Sequence, residues 1–248
     1  MKKIKQIVTI FVALALAVTA GLSFAGTKTK AAGSDEFTRT AIEIAADMGY
    51  GWNLGNTMEA TNTWTSNPKV TDFETAWGQP VTTKAMIDGI KKAGFNSIRI
   101  PVSWSNMMSS DGNYTIDASY FKRVDEIISY AFANDMYVII NDHYDGGWWE
   151  HFCGNKRDCM KHYKNMWTQV AGHYKDYSEK LIFESANEEL GDSLKKSLSK
   201  IDVNISDTAL YNLVNEINQT FVDIVRQSGG NNARRYLLIA GFNTDIDK

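Results

Sequence analysis

One pattern repeats along most of this chain: a short apolar segment ending in polar residues, then an amphipathic stretch with helical spacing. The apolar segments are 50–57 (YGWNLGNT), 96–102 (NSIRIPV), 137–144 (YVIINDHY), 181–188 (LIFESANE) and 235–243 (RYLLIAGFN). Helical spacing is expected over 83–93, where Ile87 and Ile90 recur, and over 157–174. A third helix should start at an Asp117 cap and run to 134, with Phe121, Val124, Ile127, Ile128 and Ala131 on its buried face. A fourth covers 208–227 and is stopped by Gly229-Gly230. Strands that alternate with long helices pair in parallel, because each crossover returns the chain to the same end of the sheet.

Such a sheet is either open and doubly wound or closed into a barrel. An open nucleotide-binding sheet would carry a glycine fingerprint after its first strand, and GWNLGNT supplies none. The barrel reading gains from the strand ends. Asn53, Asn56, Arg99, His143, Asn187 and Glu188 all sit where strands finish, the rim that carries chemistry in a (β/α)8 barrel. The expected fold class is therefore α/β, a (β/α)8 TIM barrel present only through about the fifth strand. Closure takes about three more strands and roughly 100 further residues. The expectation is a C-terminally truncated barrel over 37–248.

The first residues read differently. Lys2, Lys3 and Lys5 precede an apolar run over 7–20, and Ser23-Phe24-Ala25 fits a cleavage site. The run falls short of the roughly 20 apolar residues that span a bilayer. Residues 1–25 are expected to be a signal peptide and 26–36 a polar leader, so the chain should be secreted, with no membrane association after cleavage. In an exported chain Cys153 and Cys159 are permitted a disulfide across CGNKRDC, and free thiols are equally compatible. No matching second pair supports a zinc site.

A net charge of −3 gives no basic excess, which argues against nucleic acid as a partner. Seven Trp and eleven Tyr exceed the needs of a core this size, and several lie in Gly- and Asn-rich loops. The axial C–H bonds of a pyranose form an apolar patch that stacks on such rings. Trp148 and Trp149 in DGGWW are the first candidates for a sugar platform, followed by Trp77 and Trp64. Adjacent residues rarely both face a cleft, so one of the first pair should be core. Trp52 and Trp104 could be core or cleft floor, and mid-helix Trp167 should be packing.

Cleavage of a glycosidic bond normally uses two carboxyl groups flanking it. Glu184 and Glu188 share one face of the fourth strand, and Glu189 has the opposite parity. An inward carboxylate is costly unless paired, and Arg99 is the available cation, so Glu184 reads as half of a structural ion pair. Glu188 sits at the strand end, within reach of a substrate. Asp145 and Glu150 read as loop-structuring or rim residues.

Six segments in order carry a resemblance: YGWNLGNTMEA (50–60), ETAWGQPVTT (74–83), GFNSIRIPVSW (94–104), YVIINDHYDGGWW (137–149), LIFESANEEL (181–190) and RRYLLIAGFNTD (234–245). The chain resembles glycoside hydrolase family five, the cellulase family, in its endo-β-1,4-glucanase-like branch. The resemblance implies retaining cleavage of β-glucan with Glu188 as general acid/base. Asn187 then bonds the 2-hydroxyl of the sugar being cleaved, Arg99 lies under the nucleophile, and His143 lines the cleft. Asn53, Tyr144, Trp77, Trp148 and Trp149 complete the expected substrate contacts. Three positions depart from the family pattern: Asp142 replaces an apolar residue, Tyr144 a common histidine, and Glu189 a common proline. The family's nucleophile is a glutamate on strand seven, so it is expected to be absent from this chain, and the 248 residues alone are expected to be inactive. No cofactor or metal is implied, and a monomer is expected. Xyloglucan, xylan or mannan cleavage on the same scaffold, or a non-catalytic carbohydrate-binding relative, are the alternatives.

Overall fold

Alternation along each strand divides its side chains between two environments, and this division builds the molecule. The computed structural model describes residues 36–63, 65–200, 205–245 and 247; the expected signal peptide, the leader short of Glu36, and Trp64 lie outside the described residues. The strands are β1 (Gly51–Asn53), β2 (Ser97–Ile100), β3 (Tyr137–Ile140), β4 (Leu181–Glu184) and β5 (Leu237–Leu238), all parallel and paired in sequence order. Ile98, Ile100, Val138, Ile140, Leu181 and Phe183 turn to one face and are fully buried in the main core. Arg99, Ile139, Ile182 and Glu184 have the other parity, so two charged side chains share the second face with aliphatic ones.

The helices pack on the first face, except the first, which meets residues of the second. They are α1 (Ala41–Met48), α2 (Val70–Glu74), α3 (Lys84–Lys92), α4 (Ala118–Phe132), α5 (Lys156–Tyr174) and α6 (Asp207–Gln227). In α4 the buried residues include Phe121, Val124, Ile127, Ile128 and Ala131, and Asp117 caps the helix by accepting the Ser119 N–H at 2.7 Å. Along α5, Tyr163, Met166, Trp167, Val170, Ala171 and Tyr174 form the buried stripe, which confirms Trp167 as packing. Trp104 is also core, fully buried with its Nε1–H donating to the Asn141 carbonyl at 2.8 Å. Trp52 is 45% exposed on edge strand β1, packed edge-on against Phe95.

Two expectations change. Every strand is shorter than its apolar segment. Pro101 has no N–H to extend the β2 ladder, and beyond Ile140 the Asn141 side chain takes over, accepting the Val102 N–H at 3.3 Å. The segment 235–243 contributes only two ladder residues before a turn at Phe242–Thr244. Helix α1 is also additional. Its capping box joins the Thr40 hydroxyl to the Glu43 N–H, and the Glu43 carboxylate to the Thr40 N–H. Ile44 then packs on Tyr137 and Ile182 at the N-terminal end of the strands. The two cysteines, left open between paired and free, are both free thiols.

Among the described residues, Arg235 is the one arginine with no exposure. Its guanidinium donates to the carbonyls of Tyr174, Tyr177, Ser178 and Leu181 at 2.7–3.0 Å, and Nε donates to Asn232 Oδ1. It thereby satisfies the backbone where α5 turns into β4. Arg235→Met should strand these acceptors and lower stability by at least about 3 kcal/mol. Arg235→Lys should recover only part, because an ammonium cannot span the fork. Urea unfolding midpoints of the two variants check this.

Candidate active site

At the C-terminal ends of the strands, the second sheet face converges on Arg99. Its Nε and Nη2 donate to the two carboxylate oxygens of Glu184 at 2.6 and 3.0 Å. Nη2 also donates to Asn187 Oδ1 at 2.9 Å, and Nη1 to Asn53 Oδ1 at 3.0 Å. One planar fork therefore links β1, β2, β4 and the loop after β4, and Glu184 is the ion-pair partner that the parity argument expects. The same fork brings Asn53, Arg99 and Asn187 together.

The next residue, Glu188, is exposed. It opens into a small cleft lined by Tyr144, Gly147, Trp149, Glu150, Glu189 and Lys196. A carboxyl in this position is open to an approaching substrate, while Asn187 beside it is held on Arg99. A larger hollow lies between β1 and α3, lined by Trp52, Pro80, Met86, Ile90 and Phe95. It shares no residue with the Glu188 cleft and follows the unpaired edge of the sheet.

The loop after β3 forms the other wall. Tyr144, Asp145, Gly146 and Gly147 all have positive φ, from 50° to 78°, and two of these residues carry side chains in a region that disfavours them. Buried carboxylates hold this turn. Asp145 accepts the Ser105 N–H and the Ser105 hydroxyl, each at 2.7 Å, and the Trp148 Nε1–H at 2.8 Å. Glu189 reaches across from the strand-four loop and accepts the Tyr144 N–H at 2.6 Å. Asp145 is thus loop-structuring, and Glu150 pairs with Lys196 at 3.0 Å on the rim.

The expected aromatic platform needs correction. Trp149 is fully buried, stacked on Trp148 with ring centres 4.3 Å apart and packed edge-on against Tyr163. With no exposed face it cannot stack on a sugar here. Trp148 is half-buried between Trp149 and His162, each with its ring centre 4.3 Å away, and does not line the Glu188 cleft. Trp77 is 41% exposed in the turn after α2, but lines no part of the Glu188 cleft. Tyr144 is 41% exposed and does line it. His143 lies at the end of β3 with its backbone bonded to Val102 and Ser103. Burial, and then the Arg99 charge, push its imidazole down to about 4.

Glu59 was not singled out by sequence reasoning. It is buried and accepts the backbone N–H groups of Asn56 and Thr57, which closes the loop after β1. The spacing N-T-M-E was the available signal. The burial of Asp142 and Glu189 had no sequence signal beyond their place in the strand-end motifs. Among the described residues no group of three or more His, Cys, Asp or Glu could hold a metal ion.

Comparison with known proteins agrees with this geometry. The model of the cellulase family, glycosyl hydrolase family 5, matches residues 58–248. An endoglucanase A of Paenibacillus barcinonensis is 42% identical over 240 residues, 94% of this chain and 56% of that protein. A xyloglucan-specific endo-beta-1,4-glucanase of Bacteroides ovatus is 35% identical, over 84% of this chain and 40% of its own length. A solved broad-specificity endoglucanase of Ruminococcus champanellensis, with bound cellotriose, superposes with a TM-score of 0.73 at 39% identity. That match covers 84% of this chain and 59% of the other. The chain spans about half the length, or less, of the curated relatives it matches. Its five-stranded parallel sheet is part of a (β/α)8 barrel.

The low imidazole value carries a test. His143 should stay neutral down to about pH 4, whereas an unfolded histidine takes up its proton near 6.5. Protons then favour the unfolded chain, so stability should be complete above about pH 6.5 and fall as pH drops towards 4. Histidine ring NMR checks it: a His143 resonance that titrates above pH 6 contradicts the assignment.

Proposed function

The chain belongs to glycosyl hydrolase family 5, the cellulase family, and from that premise we propose that it supplies the acid/base half of an exported, retaining endo-β-1,4-glucanase. The observation that carries this reading is the pairing of Asn187, held on the Arg99 guanidinium, with Glu188, exposed at the cleft. A proton donor must be open to the leaving oxygen, while the residue that grips the sugar must be fixed.

In the proposed reaction a second carboxylate attacks the anomeric carbon as the glycosidic C–O bond breaks, and Glu188 gives its proton to the departing oxygen. A glycosyl ester results. Glu188 then takes a proton from water, whose oxygen attacks the same carbon and releases the ester, so both carboxyls return to their starting states. The attacking carboxylate is assigned to polypeptide outside these 248 residues. The acids near the mouth are already engaged: Glu184 by Arg99, Glu59 by loop amides, Asp145 by Ser105 and Trp148, Glu150 by Lys196. Residues 37–248 would then be the first part of the catalytic domain. Residues 1–25 would direct export, and the enzyme would act as a monomer without a cofactor.

The proposed substrate is the β-1,4-glucan backbone. A xyloglucan-decorated form of it is the second reading, favoured by similarity to proteins named as xyloglucan-specific and as a xyloglucanase. In the protein carrying the complete barrel, Glu188→Gln should lower reducing-sugar release from soluble β-glucan by about 10²–10⁴-fold. Folding should be unaffected. Retention of more than a tenth of the activity would remove Glu188 from the role, and release from mannan alone would change the substrate.

A further inference from the structure

Behind the wall of the cleft lies a group of acids that the proposed reaction does not use. Asp142 has no exposure, and neither of its oxygens has a protein donor in hydrogen-bond geometry. The groups facing it are the Asp145 carboxyl from the strand-three loop, the Glu189 carboxyl from the strand-four loop, the Tyr163 ring of α5, and the Trp149 indole. No cation is among them. An ionised carboxylate here would be desolvated and set beside two other acids, and close buried carboxylates do not all ionise.

Their partners divide the protons. Asp145 receives three donors, from Ser105 N, Ser105 Oγ and Trp148 Nε1, which suits an anion. Glu189 receives the Tyr144 N–H on one oxygen. Asp142 receives none in hydrogen-bond geometry, with the otherwise unpartnered Trp149 indole N–H facing it, and only as an acid O–H would it have something to offer the Asp145 carboxylate.

We propose that Asp142 is held as a neutral carboxylic acid and is a positioning residue, donating its proton to Asp145 and so holding the Trp148 indole and, with it, the Tyr144–Gly147 turn that lines the Glu188 cleft. The chain Asp142–Asp145–Trp148 braces the left-handed run over 144–147, which Glu189 ties from the other side through Tyr144. Burial, with the charges of Asp145 and Glu189, pushes the Asp142 carboxyl well above the usual carboxylate range. The stability contributed by the neutral form is complete below the ordinary carboxylate pKa, and is lost as pH rises towards the raised value.

Infrared spectroscopy of the 248-residue chain near neutral pH tests this. The C=O band of protonated acids, to which Glu189 contributes because burial pushes its carboxyl up to about 7, should be present and should lose one component in Asp142→Asn. That variant cannot ionise and still has an N–H for Asp145, so it should melt at the wild-type temperature or a few degrees above it near pH 7, and coincide with wild type near pH 4. Asp142→Leu, which lacks a donor, should shift tryptophan fluorescence and weaken cellotetraose affinity about tenfold, while Asp142→Asn keeps both. The proposal is overturned if no such component disappears, if Asp142→Asn is several degrees less stable near pH 7, or if the Asn and Leu variants lose the fluorescence signature alike. Only the cellotetraose result rests on the glycosidase reading. A chain that keeps the infrared band and the Asn/Leu contrast in fluorescence, yet binds no cellotetraose, counts against that reading and supports the neutral acid.

Discussion

The arrangement of the strand ends depends on one guanidinium. Arg99 joins Glu184, Asn187 and Asn53, so three strands and the loop that carries Glu188 share one set of hydrogen bonds. A lysine could not do this, since it lacks a planar fork of five donors. Glu184 depends on the arginine just as strongly. It lies on a face that also carries Ile139 and Ile182, where an unpaired carboxylate would be expensive. The ion pair is thus a condition for placing any charge there, and Asn187 is held as a consequence.

Around this centre, acids turned inwards do the work of satisfying loop backbone. Glu59 accepts two amides of the β1 loop, Asp145 accepts the Ser105 amide, and Glu189 accepts the Tyr144 amide. Loops at the end of a parallel sheet have left the ladder, so their N–H groups need other acceptors. Carboxylates serve well because charge-assisted bonds are short and strong. Glu188 differs from these neighbours in being open to solvent. A small set of like residues is therefore sorted by burial, most of them holding loops and Glu188 left open to solvent.

The helix centres and the existence of all five strands were legible because both rest on local periodicity, as in Phe121 to Ala131 of α4 and the alternation of Ile98 and Ile100 about Arg99. The strand ends were less so. Apolar and β-branched residues continue past Ile100 into Val102, but Pro101 ends the ladder. The first helix had its signal in Thr40 and Glu43, spaced as a capping box, yet its apolar stripe is short and its packing partners are Tyr137 and Ile182, far along the chain. Trp149 and Asp142 were misread or left open, because a residue type alone does not say whether its environment is a cleft or a core.

By itself the sequence determined the alternation of strand and helix, the parity that sets Glu184 against Arg99, and the position of Asn187-Glu188 at a strand end. Those are properties of near neighbours, governed by backbone geometry of period two or 3.6. Only the tertiary structure decided that Trp149 is walled in, that Glu189 holds Tyr144 from 45 residues away, and that Asp142 is buried against the acids Asp145 and Glu189. Burial and charge act through distance in space, and the elements that supply them here meet only when the sheet is assembled.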